Sequence, residues 1–356
     1  MKKILSLVLA AVMLGTCLFA FASCGGAGTT TINIKTGGTG GTYYGFTNAA
    51  APMLSAKTGY TCTTLPSGGS VDSLKSIGIG DCNMAIVQND TMVNAYNGLT
   101  ANFANNAIKN FSVLAHVYPE VVQIVCAGKN ADAIKTLADL KDSGLSVSIG
   151  DMGSGVEANA IALMQKYGLA FTQDAATGAW ASEDIEIRNL SVAKSADAMK
   201  DGTLDVFFFT SGAPATAITE LTTNGNPHGA YMLSLDDAVM ESFIADNKID
   251  GKYDVFAKQT ITHAQYDFIP EGTVINTIGV TATYIVSNSL SEEVVYNLTK
   301  ALWESKSDLL TAHSISSNMD VDRAFTTVGN VPVHPGAAKY YRELGQTVEN
   351  VADIGA

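Results

Sequence analysis

Residues 30–59 read TTINIKTGGTGGTYYGFTNAAAPMLSAKTG, and they contain the first complete strand–loop–helix unit of the chain. Ile32 and Ile34 alternate with polar residues, which predicts a strand over Thr30–Lys35. A glycine-rich turn follows, and the spacing then predicts a helix from about Tyr43 to Ala56 that ends near Gly59. A strand that runs through a glycine-rich loop into a helix is the repeating unit of a parallel α/β sheet.

The same unit recurs along the chain and predicts two similar lobes. Strands in the first half are expected at Thr61–Leu65 and Met84–Gln88, with a helix over Asp72–Ile79 between them. Later strands are expected at Leu145–Ile149, Ile185–Leu190 and Asp205–Phe209, with helices over Val156–Tyr167 and Ser195–Lys200. The candidate crossover segments between the lobes are His116–Val125 and Thr277–Val286. The final helices are expected over Ser291–Thr311 and Gly336–Leu344. A chain of 356 residues is longer than one core usually organises, which also favours two lobes.

The first residues have the pattern of a secretory signal. Lys2 and Lys3 precede an uncharged apolar run, Ile4–Ala22, and Cys24 follows small residues. Residues 1–23 are therefore predicted to be a signal peptide, and residues 24–30 a lipidated N-terminus and tether. The pattern fits two kinds of processing: lipidation at Cys24, or cleavage of a plain signal peptide nearby. Both predict an extracytoplasmic protein. Lipidation would also anchor the protein to the cell membrane.

Composition narrows the function classes. The net charge of −13 argues against nucleic acid as a partner, since an acidic surface repels a polyanion. Cys62, Cys82 and Cys126 lie in or beside apolar segments and are interpreted as small hydrophobic residues. The five histidines show no metal-ligand spacing, so neither a metal nor a cofactor is expected.

The loops that follow the predicted strands carry the candidate binding residues. Ligands of open parallel sheets sit beyond the carboxyl ends of the strands, and helix N-termini there offer free N–H groups to anions. The candidates are Thr39, Gly40, Thr42, Tyr43, Ser67, Gly69, Ser70, Gln88, Asp90, Ser154, Gly155, Ser211 and Pro214. Phe46 stands where a phosphate-binding P-loop needs lysine, so this is not a nucleotide motif.

Several candidates have a second interpretation. Ser70 and Ser154 fit equally well as helix caps. Two roles fit Asp90 about equally: it binds an ammonium group of the ligand, or it caps the next helix. Glu120, beside Pro119, is interpreted as structural. Two roles also fit Tyr43: it stacks on a ligand, or it belongs to the hydrophobic core. No arginine lies in a candidate loop, so an arginine–carboxylate clamp is not expected.

Ordered motifs give the chain a family resemblance. They are GGTGGTYY (37–44), SGGSV (67–71), VQND (87–90), AYNG (95–98), YPE (118–120), DLK (139–141), GSGVE (153–157), DGTLDVFF (201–208), PVHPGA (332–337) and KYY (339–341). In this order the chain resembles a TAXI-type solute receptor of the tripartite ATP-independent periplasmic (TRAP) transporters. The resemblance runs from about Ile32 to Gly345.

The resemblance implies a fold and a function. The expected fold is α/β, the two-lobed class II periplasmic-binding-protein fold with crossover strands at the hinge. Lobe 1 would be residues 31–120 plus 280–356, and lobe 2 residues 121–279. The implied function is capture of a small carboxylate or a glutamate-like amino acid and its delivery to TRAP membrane subunits. Asn89, Asn97 and Val156 depart from common family residues, so no single ligand is carried over.

Two alternatives remain beside this function. A ligand sensor or a receptor of an ABC permease would have the same fold and pocket. An enzyme would need a nucleophile beside a base, and no candidate serine or cysteine has a neighbouring histidine in the sequence. The protein is therefore expected not to be an enzyme.

Overall fold

The computed structural model describes residues 30–223 and 229–355. The predicted signal peptide, Cys24 and residues 24–29 of the tether lie outside these ranges. The strands are β1 Thr31–Lys35, β2 Thr61–Leu65, β3 Met84–Gln88, β4 Phe111–Ala127, β5 Ser146–Ser148, β6 Thr172–Gln173, β7 Trp180–Ala181, β8 Glu186–Arg188, β9 Val206–Ser211, β10 Ala230–Met232, β11 Ala257–Thr262 and β12 Val274–Ser287. The helices are α1 Thr42–Thr58, α2 Ser70–Gly78, α3 Asn89–Asn97, α4 Thr100–Phe103, α5 Gly155–Lys166, α6 Val192–Lys200, α7 Thr216–Thr223, α8 Asp237–Asp246, α9 Glu292–Glu304, α10 Lys306–Ala312 and α11 Pro335–Glu343.

A mixed sheet runs through the molecule in the order β2-β1-β3-β12-β4-β9-β5-β8. The outer sets are parallel: β1 pairs with β2 and β3, and β5 pairs with β8 and β9. The two long central strands, β4 and β12, pair antiparallel with each other. The expected α/β fold with two lobes and crossover strands is confirmed, because each parallel set lies on its own side of this central pair.

The predicted units form because local signals agree with burial. Ile32 and Ile34 on β1 are fully buried, as their alternation requires. Helix α1 ends where Gly59 adopts a left-handed conformation (φ 74°) and its N–H bonds the carbonyl of Ser55. The crossover strand β4 is buried over nearly all its length, with Pro119 exposed. This strand therefore serves as core for both lobes.

Some expectations were wrong in detail. The helix expected over Ser291–Thr311 is two helices, α9 and α10, which meet at Ser305. Thr210 and Ser211, expected in a loop, are the last residues of β9. Cys82 and Cys126 are buried free thiols, as expected of small hydrophobic residues, whereas the free thiol Cys62 is only half-buried. Among the described residues, none of the helices is long and apolar enough to cross a membrane.

Candidate functional site

A cavity of about 460 Å³ lies where loops from both lobes meet. Its walls come from the glycine-rich loop after β1, the loop after β2, the loop after β5, the loop after β8 and the end of β9. The candidate residues that line it are Thr39, Gly40, Thr42, Tyr43, Ser67, Gly69, Ser70, Gln88, Ser154, Gly155 and Ser211. Loops far apart in the sequence thus meet at one site.

Two candidates lie elsewhere. Asp90 is buried at the start of α3 and does not line the cavity; its carboxylate accepts a hydrogen bond from Thr91. Pro214 lines a second cavity of about 430 Å³, which shares residues 39–42 of the glycine-rich loop with the first. The loop therefore separates two spaces, and Asp90 lies behind the wall of the first.

In lobe 1, the cavity meets two helix N-termini that have no side-chain cap. Gly41 precedes α1 and Gly69 precedes α2, and neither position can supply a capping oxygen from a side chain. Gly69 also has φ 119°, a conformation that L-residues with a side chain rarely adopt. The first N–H groups of these helices therefore remain available to a bound anion.

The serine hydroxyls of these loops hold the loops in place. Ser67 Oγ donates to the carbonyl of Thr36 at 2.8 Å, and Ser70 Oγ accepts from the N–H of Gln88 at 3.0 Å. Ser154 Oγ caps α5 by accepting from the N–H of Glu157 at 3.1 Å. The capping interpretation of Ser154 therefore describes its observed contact. What these loops offer to a ligand is mainly main-chain N–H groups.

The sequence interpretation missed part of the lobe 2 wall. Ser191, Val192 and Lys194 line the cavity at the start of α6, where Ser191 is the N-cap. Asp151 lines the cavity as well, and burial raises the pKa of its carboxyl while nearby Lys194 lowers it. A sequence signal for this part of the wall was present, because the chain after the strand Glu186–Arg188 has the same strand-to-helix pattern as the other loops.

A buried carboxyl forms the floor of the cavity. Glu120 lies on β4 opposite Val280 of β12 and is 1% exposed. The hydroxyl of Tyr43 donates a hydrogen bond to Glu120 Oε2 at 2.5 Å. Burial raises the pKa of Glu120 to about 8, which the Tyr43 hydrogen bond opposes and the charge of Asp90 reinforces. Glu120, for which the sequence predicted a structural role, therefore also lines the candidate site.

The groups behind Glu120 are also buried. Burial raises the pKa of Asp90 to about 7. Burial, and next the charge of Glu120, raise the pKa values of Tyr43 and Tyr118 well above their usual range. Tyr118 OH has no hydrogen-bond partner among the residues described. The floor of the cavity therefore has the carboxyl of Glu120 and the hydroxyl of Tyr43, whereas the walls carry helix N-termini.

Comparison with known proteins agrees with this architecture. The chain matches the NMT1-like family over residues 34–345. The solved structure of MatC from Rhodopseudomonas palustris with bound malate is 12% identical, with a TM-score of 0.52 over 81% of this chain and 89% of that one. The periplasmic binding protein BugD is 12% identical, with a TM-score of 0.54 over 89% of this chain and 94% of that one. These structures share the fold, and the family match identifies the chain as a member of the NMT1-like family.

Proposed function

We propose that this protein is an extracytoplasmic solute receptor that captures a small carboxylate or a glutamate-like amino acid. The observation that carries the proposal is the cavity between the lobes, where helices α1, α2, α5 and α6 all begin. The partial positive charge of several helix N-termini suits a carboxylate, since no arginine is among the described residues that line the cavity. The malate in MatC is a ligand of this chemical class.

Binding would work by closure of two lobes on the solute. We assign residues 31–120 plus 280–356 to lobe 1 and residues 121–279 to lobe 2. The sheet order supports this division, since β1–β3 lie on one side of the central pair and β5, β8 and β9 on the other. The boundaries fall at paired positions of the central strands, Glu120 opposite Val280 and Val121 opposite Gly279. A ligand that touches both lobes favours the closed state.

Binding without turnover fits the cavity better than catalysis does. No histidine or cysteine is among the described residues that line the first cavity. Ser67, Ser70 and Ser154 use their hydroxyls in hydrogen bonds with main-chain groups of the loops, and none of these partners is a base.

We further propose that the receptor is TAXI-type and serves the membrane subunits of a TRAP transporter. The ordered motifs from residue 37 to residue 341 support this proposal. Purified TRAP subunits in vesicles should take up the solute only when this protein and an ion gradient are present. Uptake that requires ATP would instead assign the protein to an ABC permease, and capture of a signalling receptor would assign it to sensing.

The membrane attachment is a separate proposal. The small residues before Cys24 predict that the Cys24 thiol is acylated. The attached lipid would hold the protein at the outer face of the cell membrane. Replacement Cys24→Ser should release the protein from the membrane fraction and abolish incorporation of labelled palmitate. Unchanged membrane attachment of Cys24→Ser would contradict lipidation.

The first experiment on the ligand is a thermal-shift screen of protein that has been unfolded and refolded to remove bound solute. The compounds are amino acids, mono- and dicarboxylates, sugars and phosphate. A ligand at about 1,000 times its Kd adds ~4 kcal/mol to the free energy of unfolding, which raises the midpoint by several degrees. A shift with an amino acid or carboxylate supports the proposal. Protein that refolds cooperatively and responds to none of them contradicts it.

A further inference from the structure

The carboxyl of Glu120 has one oxygen for which the described residues supply no hydrogen-bond partner. Tyr43 OH bonds Oε2, whereas no described residue donates a hydrogen bond to Oε1. Glu120 lines the cavity, although the residue as a whole is 1% exposed. Its free oxygen is therefore placed for contact with a bound molecule.

No residue in the described part of the chain supplies a cation to this carboxyl. Lys194 is the one lysine or arginine among the described residues that line the cavity; it is exposed, and the group whose pKa it lowers is Asp151. The pKa of Glu120 responds to burial, to Tyr43 and to Asp90, with no contribution from a positive charge. A buried carboxylate without a cation is costly, and a desolvated ammonium group on the ligand would remove that cost.

The opposite requirement holds at the walls. There the N-termini of α1 and α2 present main-chain donors that suit an anion. A ligand with a carboxylate at one end and an ammonium group at the other satisfies both surfaces. A dicarboxylate of the same shape satisfies the walls and leaves Glu120 without a cation.

We propose that Glu120, held in place by the Tyr43 hydroxyl, binds the ammonium group of the solute, so that this receptor selects amino acids over deaminated carboxylates of the same shape. The inference rests on the proposed solute-binding function and narrows its substrate class. It assigns to Glu120 the ammonium-binding role that the sequence offered for Asp90, which lies behind the cavity wall.

Proton release should accompany binding. The titratable groups that face Glu120 are Tyr43 from α1, Asp90 from α3 and Tyr118 from β4 itself. Burial holds the proton on Glu120 in the empty receptor near neutral pH. An ammonium group beside the carboxylate favours the charged form, so the proton passes to the buffer. Affinity for an amino acid should therefore rise with pH up to about 8, the pKa of Glu120 in the empty receptor.

The test is calorimetric titration of refolded protein with matched pairs: L-glutamate against 2-oxoglutarate and glutarate, L-aspartate against succinate, and L-leucine against 4-methyl-2-oxopentanoate. We expect at least one amino acid to bind roughly 100-fold tighter than its deaminated partner, the range found when one member of a buried charge pair is removed. Titrations in buffers of different ionisation enthalpy should show proton release.

Glu120→Gln keeps the size of the side chain and an oxygen for Tyr43 OH. It should abolish most of the preference and its pH dependence, while Glu349→Gln, at an exposed position, should leave both unchanged. Wild-type protein that binds carboxylates and amino acids equally would overturn the inference and leave the proposed function standing. An unchanged preference in folded Glu120→Gln would also overturn it. Binding of none of these compounds would overturn both.

Discussion

Gln88, the last residue of β3, accepts at Oε1 a hydrogen bond from Nδ2 of Asn159 on α5 over 3.3 Å. Gln88 belongs to the proposed lobe 1 and Asn159 to the proposed lobe 2, and both side chains are buried. Gly155 lies directly against Gln88, since a Cβ atom on Gly155 would come within 1.9 Å of the same Oε1. The two walls of the cavity are therefore in direct contact along this edge, as a closed form requires.

Replacement Gly155→Ala should impair closure. The added methyl group would overlap the Gln88 side chain, which is itself buried and cannot move into solvent. Because the overlap exists only when the lobes meet, we expect affinity for the solute to fall by about 10-fold or more, while the ligand-free protein loses little stability. Calorimetric titration and thermal unfolding would measure the two effects.

The matched control is Gly78→Ala on α2. Its Cβ would lie 3.2 Å from Cγ2 of Ile108, a far milder approach than the 1.9 Å at Gly155, and Gly78 does not line the cavity. Unchanged affinity in Gly155→Ala would show that the contact between the walls does not control binding.

A double-mutant cycle should reveal the coupling between Gln88 and Asn159. Gln88→Met and Asn159→Leu each remove one partner, and the double variant removes both. We expect a coupling free energy of about 1 kcal/mol in ligand binding, the usual net value of a hydrogen bond. Additive effects on the binding free energy would mean that the bond is absent or present equally in the open and closed forms.

Ligand-free protein should lose stability as the pH rises from about 7 to about 8. The pKa of Glu120 is about 8 in the folded protein, above its usual value of 4.5, so the folded state holds a proton that the unfolded state has already released. The free energy of unfolding therefore falls with pH across this window, by at most ~1.4 kcal/mol per pH unit for one group.

His116 and His334 do not disturb this window, because burial lowers their pKa values to about 3 and about 4 and both are neutral above their usual value of 6.5. Asp90, whose pKa burial raises to about 7, adds to the slope in the lower part of the window. Calorimetric unfolding at several pH values would measure the slope. In Glu120→Gln the slope should become flatter. An equal slope in wild type and Glu120→Gln would assign the proton to another group.

Replacement Ser154→Ala should affect stability more than binding. Its hydroxyl caps α5 by accepting from the N–H of Glu157, and loss of such a cap costs about 1 kcal/mol. We expect the unfolding midpoint to drop by a few degrees while affinity changes by less than about 3-fold. A large loss of affinity with unchanged stability would instead give the hydroxyl a direct contact with the solute.

The sequence predicted the local units well because each is determined by local signals. The bounds expected for β2 and β3 agree with the structure, since apolar runs and glycine-containing loops delimit both strands. The convergence of the loops after β1 and β2 also follows from strand polarity in a parallel sheet. The loop after β5 belongs to the second parallel set, which runs in the opposite direction, so its meeting with them depends on how the two lobes face each other. The break between α9 and α10 was not predicted, as Ser305 is ordinary in a helix and only packing distinguishes it.

The floor of the cavity required the three-dimensional structure. Glu120 follows Pro119 in a long apolar run, and sequence alone does not show which face of β4 turns toward the cavity. The structure shows it directly: Glu120 lines the cavity, at a position of β4 that pairs with Val280 of β12. Asp90 had the stronger sequence signal, directly after a strand, yet its position at the start of α3 buries it behind the wall.

The helix starts around the cavity have a consequence for redesign of this receptor as a biosensor. A main-chain N–H at the start of α1 or α2 persists through every point substitution except one to proline. Attempts to retarget the receptor are therefore expected to leave its anion preference intact. Substitutions that change the recognised solute should instead be sought among side chains that set shape and charge, such as Val156, Phe209 and Glu120.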